Sequence, residues 1–444
     1  MPARPLRFVH ASDFHLEMPL QGVVEVPEHL REAFCDAPYT AARRVFDAAL
    51  AEEARFVVLS GDLVHPGRAG LRGPRFLVEQ FLRLAGQGIA VYWAGGVVDP
   101  PEAWPSTFPL PENVHLFPRG RTGRFVHAPH GTPLVCLVGQ SRDGPRPLRL
   151  EGFEPDPAGA APGVPTIAVA NGSIAAAALP ARGVCYWALG GRPDRTTLPG
   201  VPAAVAGGVP AAVAGGSPTV AHWPGSPQGR RPGETGIHGC TLVELDENGQ
   251  ARTSLLPTDA IRWLDERLAV DECTRREDLD ALLDRRIQGL MEAAPKVDLL
   301  LAWTFAGSGP LATELGEGPL AAELLARLRS EYGSATPAAW SISLEAEPAE
   351  ALPAELYEQE TILGDFLRTV RQYEVNPAEP LELETYLAEA HVAGALAAAV
   401  SMADQETRRG VLREAALLGA KLLGAGEEVP SPSGSDLALH GARG

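Results

Sequence analysis

The chain has 444 residues, a formal net charge of −18 at pH 7, and 45% hydrophobic against 21% charged residues. That composition suits a globular protein with a large core and room for two or three domains, and the acidic excess argues against bulk, sequence-independent binding of nucleic acid. Five cysteines without CxxC spacing argue against a disulfide framework or a zinc–thiolate site and fit a reducing cytoplasm.

In chain order, residues 6–60 alternate strand and helix. LRFVHASD (6–13) is a short apolar run that ends in polar residues. Residues 41–53 carry Val45, Phe46, Ala49 and Leu50 at helical spacing. ARFVVLSGD (54–62) is nearly continuous in apolar residues, as expected of a strand buried on both faces. Residues 76–84 predict a helix and 89–93 the next strand. This repetition predicts a layered α/β domain with right-handed crossovers. Its binding crevice should lie past the strand C-termini, where Asp13, Asp62 and Asp99 all fall. Further strands are expected at 134–138, 166–170 and 184–189. GVPAAVAG occurs at 200–207 and again at 208–215, too few copies for a solenoid, and reads as a duplication in a tolerant loop. HGCTLVELDENGQARTSLLP (238–257) predicts a hairpin turning at Glu247-Asn248-Gly249.

Past residue 259 the pattern changes to helix 276–291, strand 297–303, helix 320–332 and strand 338–344, a small α+β unit. Pro348 and Pro353 mark the next junction. Residues 354–373 and 382–423 predict helices, and the tail from Glu428 is expected to be disordered. The expected division is 1–258, 259–347, 348–427 and 428–444. No apolar run is long enough to span a bilayer, and the start, MPARPLRFVHASD, lacks the apolar stretch of a signal peptide. No membrane association is expected, and the location expected is cytoplasmic. Arginines gather at Arg119, Arg121 and Arg124, at Arg142, Arg146 and Arg149, and at Arg230 and Arg231. They read as solvated loops, with a local phosphate-facing patch as the alternative.

Asp13 and His15, two residues apart past one strand, can point at one centre, and Asp62 past the adjacent strand can bridge two ions. Oxygen and imidazole ligands suit manganese, iron or zinc rather than calcium. Two such ions, about 3.5–4 Å apart, activate a water and clamp a phosphoryl group. Turn-capping acids and a structural histidine are the plainer interpretation of the same residues.

Three stretches carry a resemblance. HASDFHLEMPL (10–20), VVLSGDLVHPG (57–67) and HWPGSPQGRRPGETGIHGCTLVELDENG (222–249) resemble the calcineurin-like metallophosphoesterases, most closely the SbcD- and YhaO-type exonucleases of DNA double-strand-break repair. The resemblance extends through LYEQETILGDFLR (356–368). It implies a two-sheet β-sandwich flanked by helices, an α/β (α+β) fold with a small α+β cap and C-terminal helices. It also implies two Mn²⁺ ions held by five motifs, and water attack on a DNA phosphodiester.

By that resemblance Asp13 and His15 match ligands of the first motif, and Asp62 matches the bridging carboxylate of the second. The third, usually GNHD, is Gly96-Val97-Val98-Asp99 (in VYWAGGVVDP, 91–100): Val97 stands for the asparagine ligand, Val98 for the histidine general acid, and Asp99 has no histidine to orient. In the fourth, Asn171 takes the place of a histidine ligand. In the fifth, YWALGGRPD (186–194), Gly191 and Pro193 replace both histidines of GHxH. Valine, glycine and proline side chains cannot ligate a metal, so at most one weakly bound Mn²⁺ is expected, on Asp13, His15 and Asp62, with Asn171 as a further oxygen donor. His65, Asp194, His222 and His238 are the candidate stand-ins.

The function expected is that of a catalytically impaired member of this exonuclease family, a scaffold for a coiled-coil ABC-type ATPase, with DNA and a homodimer as further possible partners. The alternative is an active Mn²⁺-dependent exonuclease or phosphoesterase with a reduced metal site.

Overall fold

The computed structural model of the chain describes residues 5–24, 26–144, 146, 148–154, 164–178, 183–198, 219–271, 273–307, 310–347, 352, 354–376, 381 and 405–424. The GVPAAVAG duplication, residues 382–404 and the tail from residue 428 lie outside them. The chain divides into two compact units. One comprises Met1–Glu266, Glu277–Trp303 and Ala322–Leu344; the other comprises Arg267–Arg276, Thr304–Ala321 and Glu345–Gly444.

The first unit opens with β1 (Leu6–Ala11), α1 (Glu28–Ala51), β2 (Phe56–Leu59), the short α2 (Pro66–Ala69), α3 (Arg72–Ala85), β3 (Ala90–Trp93) and β4 (Val114–Leu116). It continues through β5 (Gly123–His127), β6 (Val135–Gln140), β7 (Thr166–Asn171), β8 (Tyr186–Gly190), β9 (Thr196–Leu198) and β10 (Val220–Trp223) to the hairpin of β11 (Gly239–Leu245) and β12 (Ala251–Pro257). One six-stranded sheet has the order β12-β11-β1-β2-β3-β4, the other β5-β6-β7-β8-β10-β9. β1 to β4 are parallel, as are β6, β7, β8 and β10. The two-sheet architecture with flanking helices is the one the sequence led us to expect.

Side-chain alternation decides the layers, because successive residues of a strand face opposite sides of the sheet. Val9, Ala11, Val57, Leu59, Val91 and Trp93 face α1 and α3 and pack on Phe46, Leu77 and Phe81. Phe8, Phe56, Val58 and Tyr92 face the other way, onto Leu137, Ile167, Val169, Tyr186 and Ala188 of the second sheet. The outer face of that sheet buries Ala168, Trp187, Leu189 and Trp223 with Phe153. Both sheets are thus covered on both faces, which explains the near-continuous apolar runs.

Helix α1 begins thirteen residues before the expected start at 41, and it carries Pro38 in its interior. An interior proline costs about 3 kcal/mol. Leu30, Phe34 and Ala37 offset that by packing on Ile261, Trp263 and Leu300, at about 1.5–3 kcal/mol for each large side chain buried. The strand β13 (Ile261–Val270) has no counterpart in the expected elements. Its alternation is there in Ile261, Trp263 and Leu268, but charged residues mask it: Arg262 is tied to Asp259 at 2.7 Å and Glu266 to Arg286 at 2.5 Å. With β14 (Asp298–Gly307) and β15 (Ala339–Ala346), β13 forms a three-stranded sheet. The helices α4 (Arg276–Ala293), α5 (Pro310–Glu317) and α6 (Leu320–Tyr332) intervene.

In the second unit the helix expected at 354–373 is two helices, α7 (Ala354–Glu358) and α8 (Ile362–Val375). Thr361 caps α8, its Oγ1 accepting from the Gly364 N–H at 3.2 Å, as N-cap threonines do. Leu363, Leu367 and Val370 of α8 pack on Leu412 and Ala416 of α9 (Gln405–Gly424). Among the described residues no helix is long and apolar enough to cross a membrane.

The inter-sheet layer holds histidines kept neutral. His10 bonds Tyr186 Oη and Ser60 Oγ, and His222 bonds Thr197 and Thr241 hydroxyls. Burial lowers His10 well below its ordinary value, His222 to about 3 and His127 to about 4. A histidine with a depressed folded pKa contributes stability above its unfolded value of about 6.5; that stability is lost as pH falls toward the folded value. His127 bonds Tyr92 Oη at 3.1 Å, which glutamine can imitate. His127→Gln is expected to narrow the stability difference between pH 7 and pH 5 by about 1–2 kcal/mol, measured by urea unfolding at both pH values. An unchanged difference would refute the assignment.

Candidate functional site

The C-terminal ends of parallel β1, β2 and β3 meet those of β6, β7 and β8, so the loops after these strands form one crevice. Asp13, His15 and Asp62 have φ of 58°, 43° and 58°, a left-handed region that aspartate and histidine enter more readily than most residues. Such strained positions cluster at functional sites. The Asp13 and His15 N–H groups donate to the Gly61 and Asp62 carbonyls, each at 3.0 Å, lacing the first two loops together. The loops touch backbone to backbone. A Cβ on Gly96 would lie 2.5 Å from Asp62 Oδ1, and one on Gly190 would lie 2.0 Å from the Ser60 carbonyl oxygen. Gly190→Ala is therefore expected to cost about 3 kcal/mol or more, read as a fall in the denaturation midpoint; a neutral result would mean the sheet ends can separate freely.

One ligand atom each from Asp13, His15 and Asp62 lie within 4.8 Å of one another. Asp62 is 4% exposed and accepts hydrogen bonds on both oxygens: Val97 N–H at 2.7 Å and Val98 N–H at 3.1 Å on Oδ1, and Asn171 Nδ2 at 2.8 Å on Oδ2. Asn171 Nδ2 also donates to the Ser60 carbonyl at 3.0 Å. Both neighbours are acceptors, which fixes the carboxamide with its NH₂ toward Asp62 and its oxygen toward Arg142 Nη1 at 3.3 Å. Asp13 Oδ2 accepts from Ser12 Oγ at 2.5 Å and from the Gly191 N–H at 2.9 Å. Burial, and then the charge of Asp62, raise the Asp13 carboxyl to about 6 against those two bonds.

Asp99, 2% exposed, ties the third loop to the second. Its carboxylate accepts from Asp62 N–H at 2.9 Å, Gly96 N–H at 2.6 Å and Leu63 N–H at 3.0 Å. Burial and the neighbouring Asp62 raise its pKa, against the pull of these three amides.

Val97 is 56% exposed and Val98 half-buried, and both meet Asp62 through their backbone N–H groups. Gly191 likewise meets Asp13 through its N–H. Pro193 offers only its carbonyl, which accepts from Ser226 N–H at 2.9 Å. The four stand-in candidates do not join the triad. Among the described residues, Asp13, His15 and Asp62 are the one group of acids, histidines and cysteines gathered closely enough to hold an ion. His65 heads α2, its N–H on Glu17 Oε2 at 2.9 Å. Asp194 is exposed. His222 lies between the sheets, and His238 is bonded to Ser226 and the Glu234 carbonyl.

Two residues went unread in the sequence. Glu17 accepts from His15 Nδ1 at 3.2 Å, which orients the ring, as carboxylates do for ligand histidines. Burial pushes the Glu17 carboxyl up, but the bonds from His15 and His65 carry it below its ordinary value. Its place two residues after His15 was a usable signal. Ser12, beside Asp13, gave none.

The donor set fits one divalent ion and not a pair. Asp13, His15 and Asp62 supply oxygen and imidazole donors that such an ion accepts. The positions that the resemblance assigns to a second ion present N–H groups, hydrocarbon or nothing. The atoms that Val97, Val98 and Asn171 turn toward Asp62 are N–H donors, which do not ligate a cation.

No model of a known protein family matches the chain. It is 27% identical over 289 residues to a protein of Bacillus subtilis (strain 168) described as uncharacterized metallophosphoesterase YhaO. The match covers 62% of this chain and 65% of that protein, just under two thirds of the relative's length. Two large sheets flanked by helices are consistent with a metallophosphoesterase fold.

Proposed function

We propose that this protein is a metal-depleted member of the metallophosphoesterase branch that processes DNA double-strand breaks, and that it serves as a non-catalytic partner subunit rather than a nuclease. The observation that carries this proposal is that both oxygens of Asp62 are engaged by N–H donors. The carboxylate that would bridge two ions is held instead by Val97 N–H, Val98 N–H and Asn171 Nδ2. The likeness to a metallophosphoesterase supports the fold-level part, and the motifs around Pro224 and Gly233 support the branch. At most one Mn²⁺ ion, weakly held by Asp13, His15 and Asp62, belongs to this proposal; it would supply a Lewis acid at the crevice. A coiled-coil ATPase is the proposed partner, with α9 as a docking element. Leu418 and Leu422 on α9 are 58% and 69% exposed. A homodimer is proposed as the assembled form.

Metal content after purification in excess Mn²⁺ tests the central claim. At most one ion per chain is expected, lost on desalting. Two retained ions per chain would overturn it in favour of an active enzyme.

A further inference from the structure

Beside the crevice lies a cavity of about 110 Å³ between the ends of β6 and β7, lined by Gln140, Arg142, Arg146, Leu148, Arg149 and Asn171 among others. One water needs only ~10–15 Å³, so the cavity has room for a polyatomic group. Its walls are set. Arg142 N–H donates to the Gly95 carbonyl at 2.9 Å, and Ser141 Oγ bridges the Gly95 N–H and the Phe117 carbonyl at 2.8 and 2.6 Å. The cavity is thereby fixed to the Gly95–Asp99 loop. Arg142 Nε donates to the Gly144 carbonyl at 3.0 Å and Nη1 to Asn171 Oδ1, which aims the guanidinium.

Unused donors point to a ligand. Gln140 is 6% exposed, and among the described residues its carboxamide has no hydrogen-bond partner. Among the described residues, Arg142 Nη2 and the whole Arg149 guanidinium have none either. The one carboxylate of the lining, Asp143, is engaged by Arg119 at 3.0 Å and Arg146 at 2.6 Å. Three arginines against one paired acid leave the cavity positive in a chain of net charge −18. Guanidinium forks and amide donors match the oxygens of a phosphate group.

We infer that this cavity is an oxyanion site that takes a phosphate monoester group with arginines in place of metal ions. The inference rests on the proposed metal-depleted crevice, and it gives that crevice a ligand. The group has three sources to separate: free phosphate, a nucleotide, and the phosphorylated end of a nucleic acid.

Calorimetric titration of the full chain in EDTA and low salt tests it. The probes are inorganic phosphate, AMP, and one short oligonucleotide with either a 5′-phosphate or a 5′-hydroxyl. Inorganic phosphate is expected to bind. Arg142→Gln and Arg149→Gln are each expected to weaken it about tenfold or more, while Arg121→Gln, outside the cavity, leaves it unchanged. Arg149 is exposed, so its variant keeps the fold and the test does not hinge on Arg142 alone. Equal affinity for AMP and the phosphorylated oligonucleotide assigns the site to the phosphate group. Preference for the phosphorylated oligonucleotide over both AMP and its hydroxyl form assigns it to nucleic-acid ends. Binding that ignores both arginine variants, or no binding with or without Mn²⁺, sinks this inference alone. Binding that requires Mn²⁺ and is abolished by Asp62→Ala sinks it together with the metal-depleted proposal.

Discussion

Incubated with a phosphodiester and Mn²⁺, the protein is expected to turn over no faster than its own Asp62→Ala variant. Two losses combine. With Val98 at the general-acid position, protonation of the leaving oxygen goes, and with it a factor of about 10²–10⁴. Without ligands at Val97, Asn171, Gly191 and Pro193 the second ion goes, and with it several kcal/mol of charge stabilisation on the attacking and leaving oxygens. At about 1.36 kcal/mol per tenfold, the sum leaves little above background even after non-additivity is allowed for. Joint restoration of Val97→Asn, Val98→His, Asn171→His, Gly191→His and Pro193→His should raise both metal content and rate. The crevice sets the order of difficulty. Val97 points outward and accepts a larger side chain, whereas Gly191 has φ of 87° and a Cβ there would sit 3.0 Å from Asn171 Oδ1, so it is tolerable only with residue 171 changed too. Cleavage by the unmodified chain that Asp62→Ala abolishes would show that the proposed inactivity is wrong.

The second large effect is on stability. In EDTA, Asp62→Ala is expected to lower the unfolding free energy by about 2–4 kcal/mol. The change leaves Val97 N–H, Val98 N–H and Asn171 Nδ2 without their acceptor, at about 1–3 kcal/mol for each donor that water cannot reach. It also puts alanine at a φ of 58°, at about 1 kcal/mol. Relief of repulsion with Asp13 works in the opposite direction but is smaller, because Asp13 is itself bonded by Ser12 and Gly191. Asp62→Asn keeps the left-handed backbone and one accepting oxygen, and is expected to lose about half as much. A carboxylate placed chiefly to hold cations behaves in the reverse sense: without its metals, removing it stabilises the fold. A metal-free Asp62→Ala protein as stable as its parent would therefore show that the N–H cage carries no weight.

Much of this was legible in the sequence because it is written in side chains. The buried strands are continuous apolar runs, and Asp13, His15 and Asp62 are chemically distinctive letters at strand ends. The hairpin turn was legible too: Gly249 takes φ of 74° and Asp246 Oδ1 accepts from Asn248 and Gln250 N–H. What escaped has a physical reason in each case. The first half of α1 was hidden by Pro38, whose cost is offset by contacts with residues more than 200 positions away. β13 was hidden by charges that are paired rather than solvated. The cage around Asp62 was hidden because its donors at Val97 and Val98 are backbone amides, and every residue except proline has one. A valine where the resemblance expects a ligand reads as a loss; the fold shows that its amide donates to Asp62.

Gly61, Gly96 and Gly190 press backbone on backbone, and Asp99 clasps three amides of two loops. These contacts keep part of the crevice's outline without the side chains of Val97, Val98 and Pro193. Those positions behave as sockets in a rigid frame. Substitution at Val97, Val98 or Pro193 therefore meets little resistance from folding. By the same token a new ligand set installed there starts from a prearranged frame, whereas any alteration of the three glycines would have to rebuild the frame first.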